Sequence, residues 1–295
     1  MIVPENVLFA LAAAASWGGG DFSGGMGVKA TGGTTTGALR LVIVAHTVSL
    51  TVLTLLCVFT GAAWPHGPAM LWALAAGVAA GVSLTAFYVA LARGAMGVSA
   101  AVSGVLAATI PALVSMGVEG MPGVLRLAGF AVALAAIWVI AAGDSPENAG
   151  SQPTIMLAIV GGLGFGFYFV ALRMANGLGV MEPIALARAG SLVTCLVLLA
   201  IVSLRGKEKV AHKVAPWLSL VAVGWALGVA LLDTGGNLLL VAATRTGRLD
   251  VAAVLASLYP ATTILLAAWR LHERPTKRQI AGMVAALVAV VMITI

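Results

Sequence analysis

Ten apolar stretches separated by short polar connections organise the chain. They run over 7–26, 38–60, 69–92, 98–118, 123–142, 154–174, 183–204, 216–243, 249–269 and 279–295. A hydrocarbon core about 30 Å thick takes roughly 20 apolar residues of helix, so each stretch predicts one transmembrane helix. The most polar connection, Gly143–Pro153 (GDSPENAGSQP), falls halfway and divides the chain into two five-helix units, 1–148 and 149–295. Two runs read as one segment written twice: Leu106–Leu113 (LAATIPAL) and Leu255–Thr262 (LASLYPAT). Each has a proline at its sixth position, Pro111 and Pro260, and the flanking residues match as well. Superimposing the halves sets Arg93 against Arg245 and Arg40 near Arg188. An odd number of spans per half makes the second half enter the membrane from the opposite side. The predicted fold is therefore an all-α integral membrane protein, with ten transmembrane helices in two inverted five-helix repeats.

Composition agrees with this pattern. Hydrophobic residues make up 61% of the chain and charged residues 9%, and the mean hydropathy is +1.09. A soluble domain averages roughly 45–50% apolar and about 25% charged residues. The net charge of +6 lies mostly between apolar stretches, where anionic lipid and topology account for it; nucleic-acid binding is not expected. Counting Lys and Arg alone places Arg126, Arg173, Arg245 and Arg248 on the side of the termini and the larger basic set opposite, which puts the termini outside the cytoplasm. Cys57 and Cys195 have no CxxC or Cys/His spacing around them, so neither a disulfide framework, a metal nor a cofactor is indicated. The N-terminus lacks the basic region of a cleavable signal, so the first stretch is read as a retained span. Trp64, Trp72, Trp217 and Trp269 fall near span ends, as interfacial anchors do.

Trp17-Gly18 in the first stretch, prolines in the fourth and ninth, and His272-Glu273-Arg274 followed by Gln279-Ile280-Ala281-Gly282 stand in an order that resembles the drug/metabolite transporter superfamily, EamA type. The likeness covers nearly the whole chain. It implies a basket of two inverted repeats with a central cavity lined mainly by spans 1, 3, 4, 6, 8 and 9, in a bacterial inner (plasma) membrane. It also implies movement of small polar metabolites, often as efflux, and termini in the cytoplasm, against the charge count. Lys29 stands twelve residues after Trp17, where the family places a lysine about ten after.

Ionisable groups within a span are costly and need a pathway, a partner or a polar cavity. Asp21 and Asp233 lie at comparable depth, and neither has an acidic repeat mate. They are candidates for the substrate or proton pathway; the alternative is a carboxylate held structurally by Arg40, Arg188 or Asn237. Arg40 and Arg188 sit early in their helices, where a long side chain reaches back to the interface. That reading is preferred to a substrate contact, although both stay in the candidate set. His46 is read as a neutral, satisfied histidine. Trp17, Tyr88, Tyr168 and Tyr259, with Phe22, Phe87, Phe165 and Phe167, are candidates for an aromatic wall around a cation or a ring. Glycine clusters in spans 1 and 6 allow close packing, or a helix that bends around substrate. Pro111 and Pro260 predict kinks and candidate hinges.

The function expected is a secondary transporter moving a small polar metabolite, such as an amino acid or organic cation, as efflux by alternating access. Its partners would be that small molecule, membrane lipids and a coupling proton; the fused halves predict a monomer. No GxxxxGK[ST] motif supports ATP coupling. The alternatives are a polytopic membrane enzyme acting on a lipid or lipid-linked substrate, which needs clustered acids or metal ligands, and a channel or scaffold.

Overall fold

The computed structural model describes residues 4–62, 65–93, 96–141, 152–205, 218–271 and 276–294. Among them are eleven α-helices and no strand: α1 Glu5–Ala30, α2 Thr35–Phe59, α3 Pro68–Arg93, α4 Met96–Val118, α5 Val124–Ala141, α6 Gln152–Met174, α7 Glu182–Leu204, α8 Leu220–Thr246, α9 Leu249–Ala256, α10 Tyr259–Leu271 and α11 Lys277–Thr294. Trp64, Trp217, Glu273 and residues 143–151 of the polar joint lie outside the described residues.

Helix boundaries follow local chemistry. The Thr34 hydroxyl caps α2, accepting from the Gly37 amide at 2.9 Å, and Ser219 caps α8, accepting from Ala222 at 3.2 Å; such caps satisfy amides that lack an intrahelical partner. Pro183 stands in the first turn of α7, where its missing N–H costs nothing. Between α1 and α2 the chain reverses through Gly32 and Gly33, both at positive φ, a conformation glycine adopts without a Cβ penalty.

Six helical stretches are long and apolar enough to cross a membrane: α2, α3, α6, α7, α8, and Leu249–Arg270, which spans α9 and α10. The α1 helix has 26 residues, but its glycines, Ser16, Ser23 and Asp21 dilute its hydropathy. The apolar runs within α4, α5 and α11 are shorter, at Val102–Val118, Val124–Val139 and Ile280–Ile293. Exposed apolar side chains such as Val58, Phe59, Leu71, Val193, Leu231 and Leu287 form the outer surface, while Arg188, Asp233, Ser49 and His46 are buried. That distribution suits a lipid solvent.

Packing follows a crossed pattern. The α1 helix lies along α8 as α3 lies along α6; α3 packs on α7 as α2 packs on α8; α4 packs on α6 while α1 packs on α9 and α10. The α2–α7 and α5–α11 pairs complete the bundle. Close approach depends on small residues. Gly77 of α3 and Gly190 of α7 face one another, and a Cβ at Gly77 would meet the Ala187 carbonyl while one at Gly190 would lie 2.7 Å from the Leu74 carbonyl. The glycine-rich first span does not unwind: α1 is continuous from Glu5 to Ala30, and its glycines are used for contact. A Cβ at Gly24 would lie 2.5 Å from the Tyr88 ring, and one at Gly20 would lie 3.4 Å from the Asp233 amide nitrogen.

The two prolines have different roles. Pro111 sits inside the continuous helix α4. The ninth span is broken at Ser257–Leu258, and Pro260 is the second residue of α10. A proline in a first helical turn removes no intrahelical hydrogen bond, so the break precedes Pro260 instead of arising as a kink within one helix.

Candidate functional site

A cavity with about 410 Å³ of empty space, part of it open to solvent, lies between the helices and is lined by Trp17 and Asp21 of α1, Ala80 and Leu84 of α3, Phe165, Tyr168 and Phe169 of α6, Arg188 of α7, Asp233 and Asn237 of α8, and Tyr259 of α10. Among the described residues, span 4, expected in the lining, contributes none to it; span 7 enters instead, through Arg188.

The wall on the α7–α8 side is a continuous hydrogen-bonded network. Arg188, 1% exposed, donates from Nη2 to Asp233 Oδ2 at 2.5 Å, from Nε to Ser49 Oγ at 3.1 Å and from Nη1 to His46 Nε2 at 3.1 Å. A guanidinium only donates, so His46 Nε2 is an acceptor and its Nδ1–H donates to Ser191 Oγ, 2.8 Å away. Ser49 in turn shares a 2.6 Å hydrogen bond with Thr234. Asn237, one turn beyond Asp233, donates to its carboxylate at 3.0 Å and its carbonyl at 2.6 Å, and accepts from the Tyr168 hydroxyl at 2.7 Å. Four helices, α2, α6, α7 and α8, are thereby tied at one level. The expectation that Arg188 reaches back to the interface is corrected: a position six residues into α7 faces the bundle, where Asp233 supplies its counter-charge.

Asp21 is different. It is 7% exposed, lines the same cavity and interacts electrostatically with Asp233. It makes no hydrogen bond or ion pair among the described residues. Trp17, one turn away on α1, stacks on Phe169 with centroids 5.1 Å apart and planes within 4°.

Other candidates fall elsewhere. Tyr88 is wholly buried, its ring against Gly24 and its hydroxyl without a partner, and it does not line the cavity. Phe87 is likewise core, edge-on to Phe165 and Tyr259, and Phe22 packs edge-on against Trp225. Arg40 is half-buried in α2 and outside the lining. Lys29 is exposed in the last turn of α1. Trp72 and Trp269 are exposed, as membrane anchors are.

A second polar cluster closes the end where α4, α6 and α8 finish. Glu119 accepts from Ser115 Oγ at 2.9 Å, from Arg173 at 3.1 Å and from the Leu249 amide at 3.2 Å. Arg248 pairs with Asp250 at 2.8 Å and reaches the carbonyls of Glu119 and Gly120. Asp250, wholly buried, passes unnoticed in the sequence because it follows an arginine at a span end and looks like an ordinary loop acid.

Against known proteins, residues 152–295 match the EamA-like transporter family. The chain belongs to that family. It is thus an integral, multi-pass membrane transporter of the drug/metabolite transporter type, and EamA-like members are transporters rather than enzymes. A solved crystal structure sharing 18% identity aligns with a TM-score of 0.69 over 100% of this EamA-like chain and 99% of its own, a likeness that shows the fold. No curated protein matches the chain. The cavity and its buried ion pair therefore belong to a transporter of this family.

Proposed function

We propose that the chain is a secondary transporter of ten spans, in two inverted five-helix repeats over 1–148 and 149–295, that exports a small polar metabolite by alternating access. The observation that carries this reading is the cavity between the halves, lined by buried charge and entered from both. Asp21 comes from the first repeat, while Arg188 and Asp233 come from the second. Buried ionisable groups in a membrane bundle mark pathways, and sites at a repeat interface are the rule in inverted-repeat transporters. The crossed packing supports the repeat: α1 on α8 and α6 on α3 are mates, as are α2 on α8 and α7 on α3. The Glu119–Arg173 and Arg248–Asp250 cluster fits a closed gate at one end of that route. A proton bound at a cavity carboxylate is the proposed coupling partner.

The test is counterflow in proteoliposomes loaded with amino acids, organic cations, sugars or nucleosides, with and without a pH gradient. Saturable exchange of at least one class is expected, together with loss of exchange when Arg188 and Asp233 are both replaced. Absence of exchange across the whole panel from folded, reconstituted protein would overturn the reading.

A further inference from the structure

Charge around the cavity does not balance. From α2, His46 is the acceptor of an arginine proton; from α7 and α8, Arg188 and Asp233 neutralise one another at 2.5 Å; α6 and α10 present Tyr168 and Tyr259. Among the described residues Asp21 alone is left over, more than nine-tenths buried and facing the cavity without a hydrogen-bond donor. Tyr88 of α3, whose ring lies against Gly24 three residues along α1 from Asp21, has a hydroxyl with no partner of its own. A carboxylate held away from water without a counter-charge is costly, so the site is complete only when something positive stands beside Asp21. The rest of the lining says what shape that ligand takes: Trp17, Phe165, Tyr168, Phe169 and Tyr259 make an aromatic wall, and aromatic faces attract cations most strongly where water is excluded.

We infer that the cavity recognises an organic monocation, an ammonium or guanidinium group on an apolar or aromatic body, with Asp21 as its charge partner. An anion would meet Asp21 and Asp233 with Arg188 already engaged. A zwitterion would bring a carboxylate for which the described residues of the cavity offer no free donor of positive charge. The assignment rests on the transporter reading above and names the substrate class of that same cavity.

Calorimetric titration of the purified protein with three probes of one shape tests it: phenethylammonium, the neutral 2-phenylethanol and the anion phenylacetate. Wild type is expected to bind the cation about ten-fold or more tightly than either other probe. Asp21→Asn erases that preference, and Asp21→Glu keeps it. The Glu variant and the wild-type ranking stand even where Asp21→Asn fails to fold, which its melting curve reports. Equal or inverted ranking in wild type, no binding of the cation, or an undiminished preference in folded Asp21→Asn overturns the inference. Exchange of the same probes across proteoliposomes separates the two readings: the cation bound but never exchanged counts against transport alone, whereas phenylacetate exchanged in preference counts against the cation site alone.

Discussion

The Arg188–Asp233 pair gives the sharpest quantitative expectation. Replacing Arg188 by Gln removes the donors to Asp233, Ser49 and His46 and leaves the Asp233 carboxylate in a site where it is 8% exposed, with only Asn237 still donating to it. Breaking a buried pair in this way costs about 3–5 kcal/mol, because an uncompensated charge stays behind. For a chain of this size about 1 kcal/mol moves the thermal midpoint by roughly 2–4 °C, so Arg188→Gln should melt roughly 6–20 °C below wild type in detergent micelles. The reciprocal change, Asp233→Asn, leaves Arg188 with His46 and Ser49 and should cost less. Removing both charges with residues of similar volume, Arg188→Met with Asp233→Leu, should recover most of the loss, since a packed apolar pair often equals or exceeds a buried ion pair in stability. Differential scanning fluorimetry of the four proteins measures each cost and the recovery. A midpoint for Arg188→Gln within about 2 °C of wild type, or a double variant no more stable than Arg188→Gln, would refute the reasoning.

Three further outcomes follow from the packing. Gly24→Val places atoms where the Tyr88 ring already lies; overpacking of this kind costs about 1–3 kcal/mol, and pairing it with Tyr88→Ala should restore part of the melting temperature, whereas equal midpoints for Gly24→Val and wild type count against the α1–α3 contact. Pro260→Ala supplies an amide in the first turn of α10, where none is needed, so the midpoint should stay close to wild type while counterflow rates change; unchanged rates would remove the hinge role from the Ser257–Leu258 break. Glu119→Gln weakens the charge-assisted bond from Arg173, a partly buried pair near the rim worth at most about 1 kcal/mol, yet it should speed labelling of a cysteine placed at the buried Thr244 by an impermeant maleimide; unaltered labelling would show that this cluster does not gate.

Helix positions were legible because a bilayer-length apolar run is a one-dimensional signal. The boundaries of α2, α3, α6 and α7 lie within three residues of the expected stretches. The break between α9 and α10 was not, since Ser257 and Leu258 are as compatible with a helix as Ala108 and Thr109, which continue α4 through the equivalent position. Asp21, Asp233, Asn237, Trp17, Tyr168 and Tyr259 could be picked out as polar or aromatic groups in apolar runs, and the structure brings them to one cavity. Their pairing could not be: Arg188 is separated by 142 residues from His46 and by 45 from Asp233, distances at which sequence carries no geometric information. Tyr88 shows the opposite failure, a polar tip that resembled a ligand contact but lies packed on a glycine of α1.

The asymmetry between the halves bears directly on how such a protein would move. Under the proposed repeat, the α2–α8 seam and the α3–α7 seam are equivalent, Arg188 answers to Arg40, and Asp233 answers to Gly81. Where Asp233 sits in a hydrogen-bonded network with room for a cavity, Gly81 is pressed onto α7, so that a Cβ there would lie 3.0 Å from Thr194 and 3.1 Å from the Ser191 carbonyl. One seam is therefore closely packed by Gly77, Gly81 and Gly190; the other is polar, bridged by Ser49 and Thr234, and Arg188 of α7 reaches Asp233 beside it. Small-residue seams hold helices together by close van der Waals contact with little freedom to adjust. A polar seam can exchange hydrogen-bond partners with ligand or water without leaving a void. Under the proposed alternating access, the α3–α7 contact would act as the fixed axis, and the α2–α8 contact, beside Asp21, would be where binding energy is converted into motion.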